Sequence, residues 1–303
     1  MALRFILTTL PTLAIAGRIE SGFCPADVNS LIHSPFKPYF RWWTKSDVQA
    51  CWGAADCLFE AAGESRKQQF AATALIMGLV PLTLKDIAWP ERRIIYVTDT
   101  LNPIVEILVL ALGLVPVETG TSEETKKRIG GINTMAEAAW DQTRFVTGLW
   151  VALSAVVMLA SYAGLAVMEI YSKRSALGCP YPVFVATWYV VALVPAAIHM
   201  VFAGLRRRKI KSEKDPERKR SIISAVQGAD EAWPVQLAWG IYYIAGTLVF
   251  TSIMAVTVIE LVVWVGLGLA VTGSSKLLAF FLCLVFERRG VEVEPGRRGE
   301  REA

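Results

Sequence analysis

The stretch FVTGLWVALSAVVMLASYAGLAVMEIY, Phe145–Tyr171, decides the class of this chain. It stays apolar over more than the roughly 20 residues a helix needs to cross a ~30 Å hydrocarbon layer. A second block, YPVFVATWYVVALVPAAIHMVFAGL at Tyr181–Leu205, meets the same requirement with some tilt. Only Ser172 to Pro180 separate the two, so 145–205 is predicted to be a transmembrane hairpin. Composition agrees: 54% of residues are hydrophobic, 19% are charged and the mean hydropathy is +0.43, outside the range of ordinary soluble domains.

Further out, Val235 to Phe286 is too long for one crossing and reads as a second hairpin, turning near Glu260. Gly266, Gly268 and Gly273 offer alternative breaks. Towards the N-terminus, Phe70 to Ala88 is another span, interrupted by Pro81 and closed by Lys85, Asp86 and Trp89-Pro90. Ile94 to Val117 is weaker, because Asp99, Asn102-Pro103 and Glu106 break it, and it is expected to be re-entrant or interfacial.

Orientation follows from the basic residues. Arg206, Arg207, Arg208, Lys209, Lys211, Lys214, Arg218, Lys219 and Arg220 crowd one loop, within 206–234, which the positive-inside rule assigns to the cytosol. The tail 287–303 carries Arg288, Arg289, Arg297, Arg298 and Arg301 and falls on the same side two crossings later. Counting backward makes Ser172 to Pro180 extracytosolic and the 118–144 loop cytosolic. The net charge of +4 is modest, and its clustering beside apolar blocks indicates the lipid bilayer and anionic headgroups as partners, with Arg206, Arg207, Arg208, Lys209 and Lys211 as contacts, and no nucleic acid.

Met1 to Ala16 has Arg4, an apolar run from Phe5 and Ala14-Ile15-Ala16, the pattern of a signal peptide cleaved after Ala16. An uncleaved anchor is the other reading. Residues 17–69 hold Cys24, Cys51 and Cys57 and the aromatics Tyr39, Phe40, Trp42 and Trp43, and cannot span. A cleaved signal leaves this segment outside and requires an odd number of crossings before Phe145. Phe70 to Ala88 supplies one, giving about five spans. If Pro103 to Val117 also crosses, six or seven follow. The expected fold is therefore all-α, a polytopic transmembrane bundle with a short extracytosolic cysteine-bearing N-terminal segment. In the five-span version Cys24, Cys51, Cys57 and Cys179 all face an oxidising side, an even number available for disulfides in three possible pairings, and Cys283 stays in the membrane. The expected location is a secretory-pathway membrane (plasma membrane, endoplasmic reticulum or vacuole), with the N-terminus extracytosolic and the C-terminus cytosolic.

Asp56-Cys57-Leu58-Phe59-Glu60, the small-residue helix Ala71 to Pro81 with its Gly78-Leu79-Val80-Pro81 break, and the Trp89-Pro90 stop resemble an uncharacterised group of filamentous-fungal multi-span membrane proteins. The resemblance covers Cys51 to Val117 and implies a secretory N-terminus; it brings no activity or ligand.

The chain contains no phosphate-binding, dinucleotide, zinc-protease or serine-nucleophile motif. His33 and His199 are isolated and no paired C-x-x-C exists, so neither metal nor cofactor is expected. Ionisable groups within apolar segments are functional candidates because hydrocarbon penalises them: Glu106, Glu169, His199 and Glu260. Of these, Glu106 and His199 are retained as pathway residues, together with the face formed by Gln236, Gly240, Tyr243, Thr247 and Thr251. Thr147, Ser154 and Ser161 recur every seven residues. Such stripes line polar pathways or, more often, form helix-packing seams. Two function classes follow: a non-enzymatic sensor, receptor-like or scaffold protein, and, as the alternative, a small-solute or ion transporter or channel using Glu106 and His199.

Overall fold

The computed structural model describes residues 28–34, 48–87, 94–97, 101–118, 139, 142–212 and 232–293. The expected signal peptide, Cys24, Trp42, Trp43, most of the 118–144 loop, the polar stretch 213–231 and the end of the tail lie outside the described residues. In chain order the elements are α1 (Val28–His33), α2 (Val48–Ala61), α3 (Glu64–Ile87), β1 (Ile94–Val97), α4 (Pro103–Ala111), β2 (Val115–Glu118), α5 (Arg144–Ile170), α6 (Lys173–Ala176), α7 (Phe184–Val191), α8 (Leu193–Ser212), α9 (Trp233–Thr251) and α10 (Val258–Val293).

Among the described residues, three helical stretches are long and apolar enough to cross a membrane: Arg144–Ile170, Phe184–Arg208 and Val258–Phe286. Only 22% of the first window is buried inside the protein. Leu149, Leu153, Val156 and Leu159 stand exposed, a surface that water would penalise and lipid accepts. The opposite side of α5 is the seam anticipated from the seven-residue spacing. Thr147, Ser154 and Ser161 are buried, and their hydroxyls donate back to the carbonyls of Thr143, Trp150 and Val157, so none is left unsatisfied in a dry interior. In the second span Ala192 joins α7 to α8, three residues before Pro195, whose missing N–H interrupts the helical ladder.

The turn between α9 and α10 falls at 252–257, ahead of the expected position at Glu260. Thr257-x-x-Glu260 forms a capping box: Glu260 Oε2 accepts from Thr257 N at 2.6 Å, and Glu260 N donates to Thr257 Oγ1 at 3.4 Å. Glu260 therefore lies in the first turn of α10. That helix then runs unbroken through Gly266, Gly268 and Gly273.

Among the described residues the all-α expectation has one exception. The segment expected to be a re-entrant or interfacial helix folds as strand, helix, strand, with β1 parallel to β2 and Ile94 opposite Val115. β-branched Ile94, Ile95 and Val97 in β1 and Val115 and Val117 in β2 favour the extended form. Asn102 caps α4 through its side chain, and Pro103 occupies the first turn, where no N–H is needed. Gly113, at φ +98°, ends it: Leu114 N donates to Val109 O and Gly113 N to Leu110 O, a Schellman closure. The nine-residue α4 is roughly 14 Å long at 1.5 Å per residue, too short to cross.

The described residues form two compact units. The first comprises Met1–Pro81, Ala163–Trp188 and Gly246–Leu267. Its core gathers Leu31, Ile32, Ala55, Leu58 and Phe70 around Cys51 and Cys179. Gly78 meets Thr251, and Gly246 meets the ring of Trp188, at distances a side chain would fill. The second comprises Leu82–Tyr162, Tyr189–Ala245 and Gly268–Ala303, where Ile95, Val97, Val109 and Leu114 pack on Ala279 and Cys283.

A Cβ on Gly246 would stand 2.5 Å from two carbons of the Trp188 indole. Gly246→Val is expected to cost about 1–3 kcal/mol, as overpacking does, and to lower the melting temperature in detergent. An unchanged melting temperature would show that the indole yields.

Candidate functional site

In the first unit, charged side chains converge on the turn between α9 and α10. Lys173, on the short helix α6, is fully buried. Its Nζ donates to Ala255 O at 2.7 Å and to Glu260 Oε2 at 3.2 Å, and lies 5.3 Å from the centre of the Phe70 ring. The same Glu260 oxygen accepts from Thr257 Oγ1 at 2.8 Å. Ala255 has φ +54°, a left-handed conformation that costs an L-residue roughly 1–2 kcal/mol, so the ammonium contact holds a strained carbonyl in place. From α3, Thr73 Oγ1 donates to Val256 O at 2.7 Å. Burial pushes the Lys173 ammonium below the usual lysine range, and the Glu260 carboxylate draws it back up.

A second group organises the 172–186 connection. Glu169, near the end of α5, accepts from Val185 N at 2.6 Å and Ala186 N at 3.0 Å, capping α7, where the N-terminal dipole favours negative charge. Arg174 donates to Tyr181 O and Pro180 O and stacks 4.3 Å from the Phe184 ring centre. Burial lowers its pKa and Glu169 opposes that shift. Cys179, inside this connection, is disulfide-bonded to Cys51 across 128 residues of sequence. Cys57 is also disulfide-bonded, and Cys283 is a buried thiol outside any disulfide.

In the second unit, Glu106 is 3% exposed and takes both terminal nitrogens of Arg207, at 2.9 and 2.7 Å. This fork-on-fork pair is the strongest geometry available to a carboxylate. It places the one acidic residue of α4 against the C-terminal end of the second apolar stretch, Phe184–Arg208. His199 is buried, with Trp239 Nε1 donating to its Nδ1 at 3.4 Å. Trp239 in turn stacks on Tyr243 and meets Tyr242 edge-on. Gln236 is exposed. In the first unit, Thr251 returns its hydroxyl to the carbonyls of Thr247 and Leu248, and the Gly78 approach makes Thr247 and Thr251 part of a packing seam. Of the residues expected to line a pathway, Glu106 is engaged by Arg207, His199 accepts from Trp239, and Thr247 and Thr251 meet Gly78. Arg206 and Arg208 remain at the surface beside Arg207, half-buried and exposed respectively; the side chains of Lys209 and Lys211 lie outside the described set. Among the described residues no cluster of His, Cys, Asp and Glu suits a metal.

Sequence reading passed over Lys173, Arg174, Thr73 and Thr257. Two signals were present. Lys173-Arg174 falls in the connection that the expected topology puts outside, where the positive-inside rule depletes basic residues, so an internal role was indicated. Thr257-Val258-Ile259-Glu260 carries the capping-box spacing.

No family model, curated protein or solved structure matches the chain. The site is therefore read from its own chemistry.

Removing one member of a buried ion pair strands the other, at about 3–5 kcal/mol, whereas replacing both with apolar groups is often neutral. Lys173→Met is expected to lower the melting temperature sharply, and Lys173→Met with Glu260→Leu to recover part of the loss. A double variant no better than the sum of the singles would show that the pair is not a coupled unit.

Proposed function

We propose that this protein is a non-enzymatic membrane scaffold or receptor-like protein of five spans, not a carrier of ions or solutes. The observation that carries the reading is the state of its intramembrane carboxylates. Glu106 is held by Arg207, Glu169 by the N-terminal amides of α7, and Glu260 by Lys173 and Thr257. A transport site needs polar groups whose partners exchange with cargo; these are committed to fixed partners.

The five-span count adds α3 and α9 to the three apolar helices. Both carry outward apolar faces, Leu75, Ile76, Leu79 and Leu82 on α3 and Leu237, Ile241, Ile244 and Leu248 on α9, which supports lipid contact. In this topology Cys51 and Cys179 share the extracytosolic side, consistent with their disulfide. The secretory N-terminus, the cytosolic basic loop and tail, and the likeness to the fungal multi-span group belong to the same proposal. The outer segment 17–69 and the basic stretch 206–220 are then the two surfaces available for recognition.

Three experiments test it. Glu106→Arg should destabilise by about 3–5 kcal/mol, because it strands Arg207 and sets a second cation beside it, and Glu106→Arg with Arg207→Glu should restore most of the melting temperature. Ion flux through proteoliposomes of the wild-type chain should match that of empty vesicles. Flux that disappears on Glu106→Gln, with the melting temperature unchanged, would instead establish transport. For topology, a glycosylation sequon introduced near Ser46 should be modified and one near Ser224 should not; the reverse pattern, or modification of neither, would overturn the five-span arrangement.

A further inference from the structure

Helix α4 is too short to cross a membrane, yet its outer face is apolar. Ile104 is 77% exposed and Leu108 40%, one helical turn apart on a single face. The inner side is fully used: Val105, Val109 and Leu112 pack on the strands and α10, and Glu106 and Leu110 are buried. Three observations say what covers the outer face.

The first is depth. α4 packs along α8, and the Glu106–Arg207 pair ties its first turn to the final turn of the second apolar stretch, Phe184–Arg208. α4 therefore lies at the level where that stretch leaves the hydrocarbon. The second is continuity. Val201 and Leu205 on α8 are exposed apolar residues within the same stretch, so the surface of α4 extends one already suited to lipid. The third is charge. Glu106 is the only charged residue of α4, and Arg207 neutralises it, so the helix presents no negative charge outward. Arg206 and Arg208, on either side of that pair in sequence, supply positive charge at the same level. An apolar face flanked by guanidinium groups at headgroup depth is complementary to an anionic leaflet.

We propose that α4 is an interfacial helix of the cytosolic leaflet, with Ile104 and Leu108 among the acyl chains and Arg206 and Arg208 on the phosphates of anionic lipids. The strand–helix–strand element then acts as a float fastened to the second span by Glu106 and Arg207. It reads the lipid composition of the leaflet without a separate membrane-binding domain. This rests on the assignment of α8 as membrane-spanning, with its basic end in the cytosol.

The test places a bimane fluorophore at Ile104→Cys or, as a reference within the span, at Val201→Cys, without reductant so that the disulfides remain intact. The wild-type chain gives the background from buried Cys283. Each full-length protein is reconstituted in vesicles of phosphatidylcholine with phosphatidylglycerol, plain or brominated on the acyl chains near the headgroup. The label at Ile104→Cys should lose intensity in brominated vesicles and be shielded from aqueous iodide. That loss should shrink in phosphatidylcholine alone or on adding Arg206→Gln and Arg208→Gln. Quenching by iodide instead, or shielding from both quenchers as a second copy or a protein partner would give, overturns the proposal while Val201→Cys still reports lipid. Equal quenching with and without phosphatidylglycerol overturns the recognition of charge. If Val201→Cys is not quenched by bromine, the spanning assignment fails, and the proposal with it.

Discussion

The ammonium of Lys173 is the contact on which the first unit depends. It reaches a strained carbonyl at Ala255 and a carboxylate at Glu260, fixing both the turn between α9 and α10 and the first turn of α10. The residues around it are themselves anchored: Thr73 bonds the same turn from α3, and Cys179, six residues on, is covalently joined to α2 through Cys51. A buried charge of this kind is tolerated only where every partner is supplied, since desolvation alone would expel it. Lys173, Glu260, Thr257 and the Ala255 carbonyl satisfy one another, so the loss of any one exposes the rest to that penalty.

The second unit solves a related problem differently. A nine-residue helix between two four-residue strands has too little surface to be stable alone. Its inner apolar residues are covered by α10, and its single acid is matched by an arginine of α8. The bidentate geometry fixes direction as well as distance, since a guanidinium fork accepts a carboxylate in one plane. A lysine there would neutralise the charge without setting the orientation of α4.

These arrangements bear on function through what they remove. In apolar segments an ionisable residue is first suspected of handling cargo, and Glu106, Glu169, Glu260 and His199 all invited that reading. Each carboxylate instead closes a structural account: an ion pair, a helix cap, or both. His199 lies in an aromatic group with Trp239, Tyr242 and Tyr243.

The apolar blocks were legible in advance because membrane solvent imposes a length that any reader of the chain can count. Phe145–Tyr171 differs from α5 by one residue at each end, and the seven-residue hydroxyl spacing marked its buried seam. The small sheet was less legible, because short apolar strands and a broken helix share a composition, and only pairing between β1 and β2 distinguishes them. The partners of the charges were not legible at all. Glu106 and Arg207 are separated by 101 residues, and Lys173 and Glu260 by 87. Local sequence records that each is costly to bury, but a carboxylate carries no mark of which distant cation will meet it. The sequence by itself thus determined the solvent of this protein and the helices that face it; the tertiary structure decided which charges are spent on holding those helices together, because only packing brings the two halves of each pair within hydrogen-bond distance.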